Sequence, residues 1–100
     1  MQNKFGLPSD VIEEILRILS SYPEVEKAKV FGSRAKGNYK RYSDIDIAIF
    51  VSENRSIIQN IKEDLGDLDT IYDFDILDYN RLSNEELKAH IDRVGISIHG

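Results

Sequence analysis

Val30-Phe31-Gly32-Ser33-Arg34-Ala35-Lys36-Gly37, followed after a polar stretch by Asp44-Ile45-Asp46-Ile47-Ala48-Ile49-Phe50-Val51, decides the architecture of this chain. Lys27 to Phe31 alternates as a short strand, and Gly32 stops it. A new helical turn opens after Gly32, with Gly37 as its C-terminal stop. Gly37 to Ser43 is polar with turn formers at both ends, and Asp44 to Val51 is rich in β-branched residues, which predicts a second strand. Working upstream, Pro8-Ser9-Asp10 supplies a helix start. Val11, Ile12, Ile15, Leu16, Ile18 and Leu19 then recur at three-to-four spacing, which predicts a helix over Ser9–Ser21 ended by Pro23. Working downstream, Ile57, Ile58, Ile61 and Leu65 have helical spacing, with Ser52 or Asn54 as cap and Gly66 as stop. Asp69 to Leu77 reads as a third strand. Ser83-Asn84-Glu85-Glu86 reads as a capping box for a last helix through Asp92, and Ile96 to Ile98 as a short edge strand. Helices and strands alternate without repeats or linkers, so residues 1–100 are expected to form a single α/β (α+β) domain, helices packed on a small sheet. Whether that sheet is parallel or mixed does not follow from the pattern.

Composition narrows the function. The 100 residues carry 13 Lys+Arg against 18 Asp+Glu, a net charge of −5, and no cysteine. Disulfide frameworks and thiolate metal sites are thereby excluded. No apolar run approaches the ~20 residues of a membrane span, and Met1-Gln2-Asn3-Lys4 leads into an amphipathic segment unlike a signal sequence, so a cytoplasmic location is expected. The negative balance opposes binding to a phosphate backbone, which disfavours nucleic acid as a partner. A domain of this size buries one two-layer core and leaves little volume for an enclosed pocket. Part of any substrate site is therefore expected from another chain, in a homo- or hetero-oligomer.

Asp44 and Asp46 are two residues apart on a predicted strand, so both carboxylates share one face while Ile45, Ile47 and Ile49 share the other. Two adjacent carboxylates repel unless a cation neutralises them. Their hard oxygens suit Mg²⁺, which takes one or two protein carboxylates together with substrate phosphates and water. Taken alone, the pair reads equally as a turn cap followed by an exposed residue. Asp75 stands between apolar neighbours in Phe74-Asp75-Ile76-Leu77, where an unpartnered buried charge would be costly. A neighbouring strand bearing Asp44 and Asp46 would explain it, because three carboxylates can hold two metal ions for phosphoryl or nucleotidyl displacement. Asp73, on the same face of that strand, is the alternative third ligand, and Asp78 reads as a turn residue.

Gly32-Ser33 offers the complementary phosphate side. Glycine lets backbone approach a ligand, and the following turn presents N–H groups beside the Ser33 hydroxyl. Arg34 and Lys36 could add positive charge for a triphosphate, Lys36 reading more readily as a solvated base. Tyr39 and Tyr42 flank Lys40-Arg41 in the connecting loop, as exposed aromatics or as stacking surfaces for a base. His90 reads as a helix-surface residue, His99 as a tail residue, and the acidic 63–69 stretch as a solvated helix end.

Gly32-Ser33, ten intervening residues, Asp44-Ile45-Asp46 and then Asp75 on a later strand together resemble the nucleotidyltransferase superfamily that includes polymerase β. The Gly-Ser-Arg-Ala-Lys-Gly and Ser-Asp-Ile-Asp-Ile segments are similar to its minimal members, the MNT proteins, and the resemblance covers nearly the whole chain. It implies a polymerase-β-like nucleotidyltransferase fold with a small mixed sheet. It further implies that Gly32, Ser33 and Arg34 bind the nucleotide, that Asp44, Asp46 and Asp75 bind two Mg²⁺ ions, and that Asp75 helps deprotonate the attacking hydroxyl. The implied reaction transfers AMP from ATP to a hydroxyl. By likeness to MNT antitoxins, the expected acceptor is a tyrosine of a separately encoded helical HEPN-type toxin. A small molecule held by a separate helical subunit is the alternative acceptor, and a non-catalytic antitoxin or binding module the alternative class. Larger relatives carry a second domain over the acceptor; the minimal members are expected to use their partner instead.

Overall fold

The computed structural model describes residues 5–54 and 56–100; Met1-Gln2-Asn3-Lys4, read above as the approach to the first helix, lies outside them. The chain runs α1 (Ser9–Ser20), β1 (Lys27–Phe31), α2 (Gly32–Lys36), β2 (Ile45–Phe50), α3 (Ile57–Gly66), β3 (Phe74–Asp78), a 3₁₀ turn (Tyr79–Arg81), α4 (Glu85–Val94) and β4 (Ile96–His99). The four strands form one sheet in the order β3-β2-β1-β4. β1 pairs antiparallel with β2 and β4, whereas β2 and β3 are parallel. The sheet is therefore mixed, and the parallel pair is made possible by α3, which supplies the crossover that a tight turn cannot.

Strand alternation builds two cores. Ala28 and Val30 of β1, Ile45, Ile47 and Ile49 of β2, and Ile76 of β3 face one side. There they meet Ile15, Ile18 and Leu19 of α1 and Ile57, Ile58, Ile61 and Leu65 of α3. The other side is smaller: Phe31 and Ala48 pack with Ile91 of α4, edged by Phe50, Leu77, Tyr79, Leu87 and Val94. This second face is covered by α4 alone among the long helices. It leaves the start of β2 and β3 open, and that is where the acids stand.

Several boundaries differ from the sequence expectation. The third strand starts at Phe74, not Asp69. Thr70 N–H bonds to the Leu68 carbonyl and Thr70 Oγ1 accepts from Tyr72 N–H, so turn chemistry overrides the β-branched character of Thr70-Ile71 and leaves Ile71 68% exposed. α3 begins after Ser56, whose hydroxyl donates to Asn54 Oδ1 in a local turn, and no side chain caps the helix. α4 is capped by Asn84, whose Oδ1 accepts from Leu87 N–H at 3.1 Å; this moves the cap one residue past Ser83 and puts Leu87 where a capping box needs Glu or Gln. His99 belongs to β4, opposite Ala28, and not to a tail. Asn84→Ala is expected to cost about 1 kcal/mol of stability and Ser83→Ala almost nothing, measured by urea denaturation. Equal losses would restore Ser83 as the cap.

Candidate active site

The antiparallel register of β1 and β2 sets Phe31 opposite Asp46, so the chain leaves β1 at Gly32 beside the start of β2. The ten residues between Ser33 and Asp44 form α2 and a loop that returns to the same place. Gly32 has φ +71°, and a Cβ added to it would collide with the Asp46 carboxylate. The carboxylate thus lies directly against the glycine backbone, and two features on either side of the loop, Gly32 and Asp46, become one site. Gly37, φ +91°, ends α2 in the left-handed conformation with its N–H bonded to the Ser33 carbonyl, as the sequence predicts.

The parallel register of β2 and β3 sets Asp46 beside Asp75. Adjacent strands lie ~4.8 Å apart and residues in register share a face, so these two carboxylates neighbour each other. Asp44, two residues before Asp46, stands at the mouth of the same face, and the Ile45 N–H bonds to the Asp73 carbonyl to start the parallel ladder. Asp44, Asp73 and Asp75 are exposed, whereas Asp46 is half-buried. Burial first, then the negative charges of Asp75 and Asp44, push the Asp46 carboxyl up to about 6. The upward shift combines desolvation with the repulsion expected of clustered carboxylates.

The structure corrects the reasoning about Asp75. Phe74 and Ile76 turn to the helical face, and β3 is an edge strand, so the Asp75 carboxylate reaches solvent. The desolvated acid is Asp46, on a central strand and under Gly32. The donor chemistry suits Mg²⁺: hard oxygens only, on one face, with a negative excess. Yet no three Asp, Glu or His side chains among the described residues are gathered tightly enough to cage a metal. The expected three-acid cage is not preassembled among the described residues.

Arg34, expected from the resemblance to bind the nucleotide, is built into the fold. It is 1% exposed, the one charged residue among the buried set of the described residues. Its Nε and one Nη donate to the Ser43 carbonyl at 3.1 and 3.0 Å; the same Nη reaches the Arg41 carbonyl at 3.2 Å, and the other Nη the Phe5 carbonyl at 2.8 Å. Tyr39 and Tyr72 cover the guanidinium at 5.0 and 5.1 Å from their ring centroids. The guanidinium thus turns its hydrogen bonds inward to backbone carbonyls. Adjacency to Gly-Ser suggested a ligand; the missed signal was Tyr39, which pairs with Arg34 and is itself half-buried against Gly6. Tyr42 stays 61% exposed beside Arg41, and Lys36 is exposed. His90 is not a free surface residue, because its ring meets Phe31 edge-on at 6.3 Å.

Residues 13–100 match the family model described as polymerase beta, nucleotidyltransferase. Over 70 residues the chain is 36% identical to the probable protein adenylyltransferase MntA of Haemophilus influenzae; the alignment takes in 68% of this chain and spans 60% of that relative's length. Among solved structures, a chain of a toxin-antitoxin crystal structure with AMP-PNP is 25% identical, with a TM-score of 0.72 over 89% of this chain and 73% of the other. A structure of the tri-AMPylated Shewanella oneidensis HEPN toxin in complex with MNT antitoxin shares the fold, at 21% identity and a TM-score of 0.66 over 90% of this chain and 70% of the other. The sheet order, the Gly32-Ser33 turn against Asp46 and the family match over residues 13–100 agree, and the chain belongs to the polymerase beta nucleotidyltransferase family.

Proposed function

We propose that this chain is a Mg²⁺-dependent nucleotidyltransferase that moves AMP from ATP to the hydroxyl of a tyrosine on a HEPN-type toxin partner, and so acts as an antitoxin. The observation that carries the reading is the Asp46 carboxylate, held against the Gly32 backbone on one side and in register with Asp75 on the other. Family membership supports nucleotidyl transfer. The likeness to a probable protein adenylyltransferase and to a toxin-antitoxin chain crystallised with AMP-PNP supports ATP as donor and a toxin as acceptor.

In this reading Gly32 and Ser33 receive the triphosphate, and Asp44, Asp46 and Asp75 hold the ions. Mg²⁺ held there would supply charge neutralisation for the phosphates and would favour ionisation of the attacking hydroxyl. The hydroxyl oxygen forms a bond to the α-phosphorus, the bond from that phosphorus to the bridging oxygen breaks, and pyrophosphate leaves. Asp75, exposed at the sheet edge, accepts the hydroxyl proton. The open face between α4 and the start of β3, where Asp44 and Asp75 are exposed, gives a protein-borne hydroxyl direct access.

The test is intact-mass measurement of the partner after incubation with this chain and Mg-ATP. A gain of about 329 Da per event, localised to tyrosine by fragmentation and lost with EDTA, is the expected result. Suppression of toxicity by wild type and Asp44→Asn alike, with no mass gain, would instead establish a contact-only antitoxin. A modified small molecule beside an unmodified partner would move the acceptor off the protein.

A further inference from the structure

The residue next to the Gly-Ser turn is buried and spends its donors on carbonyls from two separate parts of the chain. Phe5 precedes α1, whereas Arg41 and Ser43 belong to the loop that runs into Asp44. The two rings that enclose it are also distant in sequence: Tyr39 opens that loop and Tyr72 directly precedes Asp73. Gly6 takes a φ of +70° where a Cβ would strike the Tyr39 ring, so the segment before α1 is shaped to seat this assembly.

We propose that Arg34 is a positioning residue for nucleotidyl transfer, a clamp that fixes the Asp44 and Asp73–Asp75 segments relative to the Gly32-Ser33 turn, and not a nucleotide ligand; this rests on the function proposed above. Arg34 stands one residue after Ser33 on a helix of five residues, so its Cα moves with the phosphate turn. Its guanidinium grips the Ser43 carbonyl through two N–H groups, and the next residue is Asp44. Its second aromatic cover, Tyr72, is followed by Asp73, whose carbonyl starts the β2–β3 ladder at Ile45. One side chain therefore sets the spacing of cradle and acids. A planar fork with five donors is needed for this, since lysine offers a compact point charge that cannot span three carbonyls and fill the slot between two rings. The buried charge is tolerated because carbonyl dipoles and aromatic faces replace its water.

Arg34→Lys separates the two roles. A lost phosphate ligand raises KM for ATP and spares kcat, whereas a lost clamp misplaces the acids after the nucleotide is bound. The expected result is a fall in kcat of about 30-fold or more at a KM within about twofold of wild type, with faster amide hydrogen exchange over residues 40–46 in the nucleotide-free protein. A raised KM with unchanged kcat, or unchanged exchange over 40–46, overturns the proposal. If Arg34→Lys does not fold, the wild-type protein decides by NMR. The Arg34 Nε–H should be protected from exchange and keep its shift on addition of Mg-ATP, while the Ser33 amide moves; a displaced Arg34 Nε–H overturns the clamp. If neither signal responds to Mg-ATP and no transfer occurs, the nucleotidyltransferase reading fails. The exchange of residues 40–46 still decides whether Arg34 holds the loop.

Discussion

Asp46→Asn is expected to abolish AMP transfer, by about a thousand-fold or more in kcat, while making the metal-free protein more stable than wild type. Both halves follow from one position. Asp46 is the acid closest to the Gly32 turn and the one in register with Asp75, so it is the only carboxylate of the three placed to bridge cradle and acids. Asparagine keeps the shape and removes the charge, which leaves Asp44 and Asp75 without the ionised carboxylate between them. The stability gain comes from the same burial and repulsion that lift the Asp46 carboxyl to about 6. An unfolded aspartate titrates near 3.9, so between about pH 4 and 6 the folded metal-free protein binds a proton that the unfolded chain does not. Its stability therefore rises as pH falls through that window, and at pH 7 the ionised carboxylate is a net cost. The group is partly solvated, so the cost after screening is about 1 kcal/mol. Thermal unfolding in EDTA between pH 4.5 and 7.5 should show the Asp46→Asn variant more stable at the upper end, with the gap closing toward the lower. A variant that retains transfer in Mg²⁺ would remove Asp46 from the centre of the site. A gap that widens toward low pH would show that Asp46 is stabilised in its charged form.

How much of this was legible before the structure depends on which kind of rule each feature obeys. Local periodicity was sufficient for α1, β1 and β2, whose apolar residues recur at the spacing of the face they bury, and Gly37 ended α2 as its sequence context predicts. The sharing of one face by Asp44 and Asp46 followed from strand geometry alone. Strand order did not, and it determined which acid is desolvated. Asp46 and Asp75 are both flanked by apolar residues in sequence, but Asp75 lies on an edge strand, while Asp46 lies on a central one beneath a glycine. The role of Arg34 was hidden for a related reason. Its partners are backbone carbonyls at Phe5, Arg41 and Ser43, and a carbonyl carries no side-chain signature in sequence. Tyr39 and Tyr72 were visible as residues, but nothing in their spacing brings them to one cation. The start of β3 failed on competition between local rules, where the hydrogen bond from Tyr72 N–H to Thr70 Oγ1 outweighed the strand preference of Thr70-Ile71.

Gly32→Ala should be nearly as damaging to transfer as the loss of Asp46, although it removes no functional group. Gly32 holds φ +71°, a left-handed conformation that costs a residue with Cβ about 1–2 kcal/mol. The added methyl also points at the Asp46 carboxylate, the nearest group to it, and overpacking of this kind costs a further 1–3 kcal/mol, roughly, when the neighbour cannot move freely. Asp46 cannot retreat, because its backbone is bonded into the ladders with β1 and β3 on both sides. The carboxylate must rotate away from the turn instead, which breaks the juxtaposition on which the proposed reaction depends. A double-mutant cycle with Asp46→Ala separates the two costs. In the Asp46→Ala background the collision is gone and only the backbone strain remains, so Gly32→Ala should destabilise by less there, with a coupling of about 1 kcal/mol or more measured by urea denaturation. Additive effects would mean that the methyl finds room and that the glycine is required for its φ alone. Full transfer by Gly32→Ala would show that the close approach of turn and carboxylate has no part in catalysis.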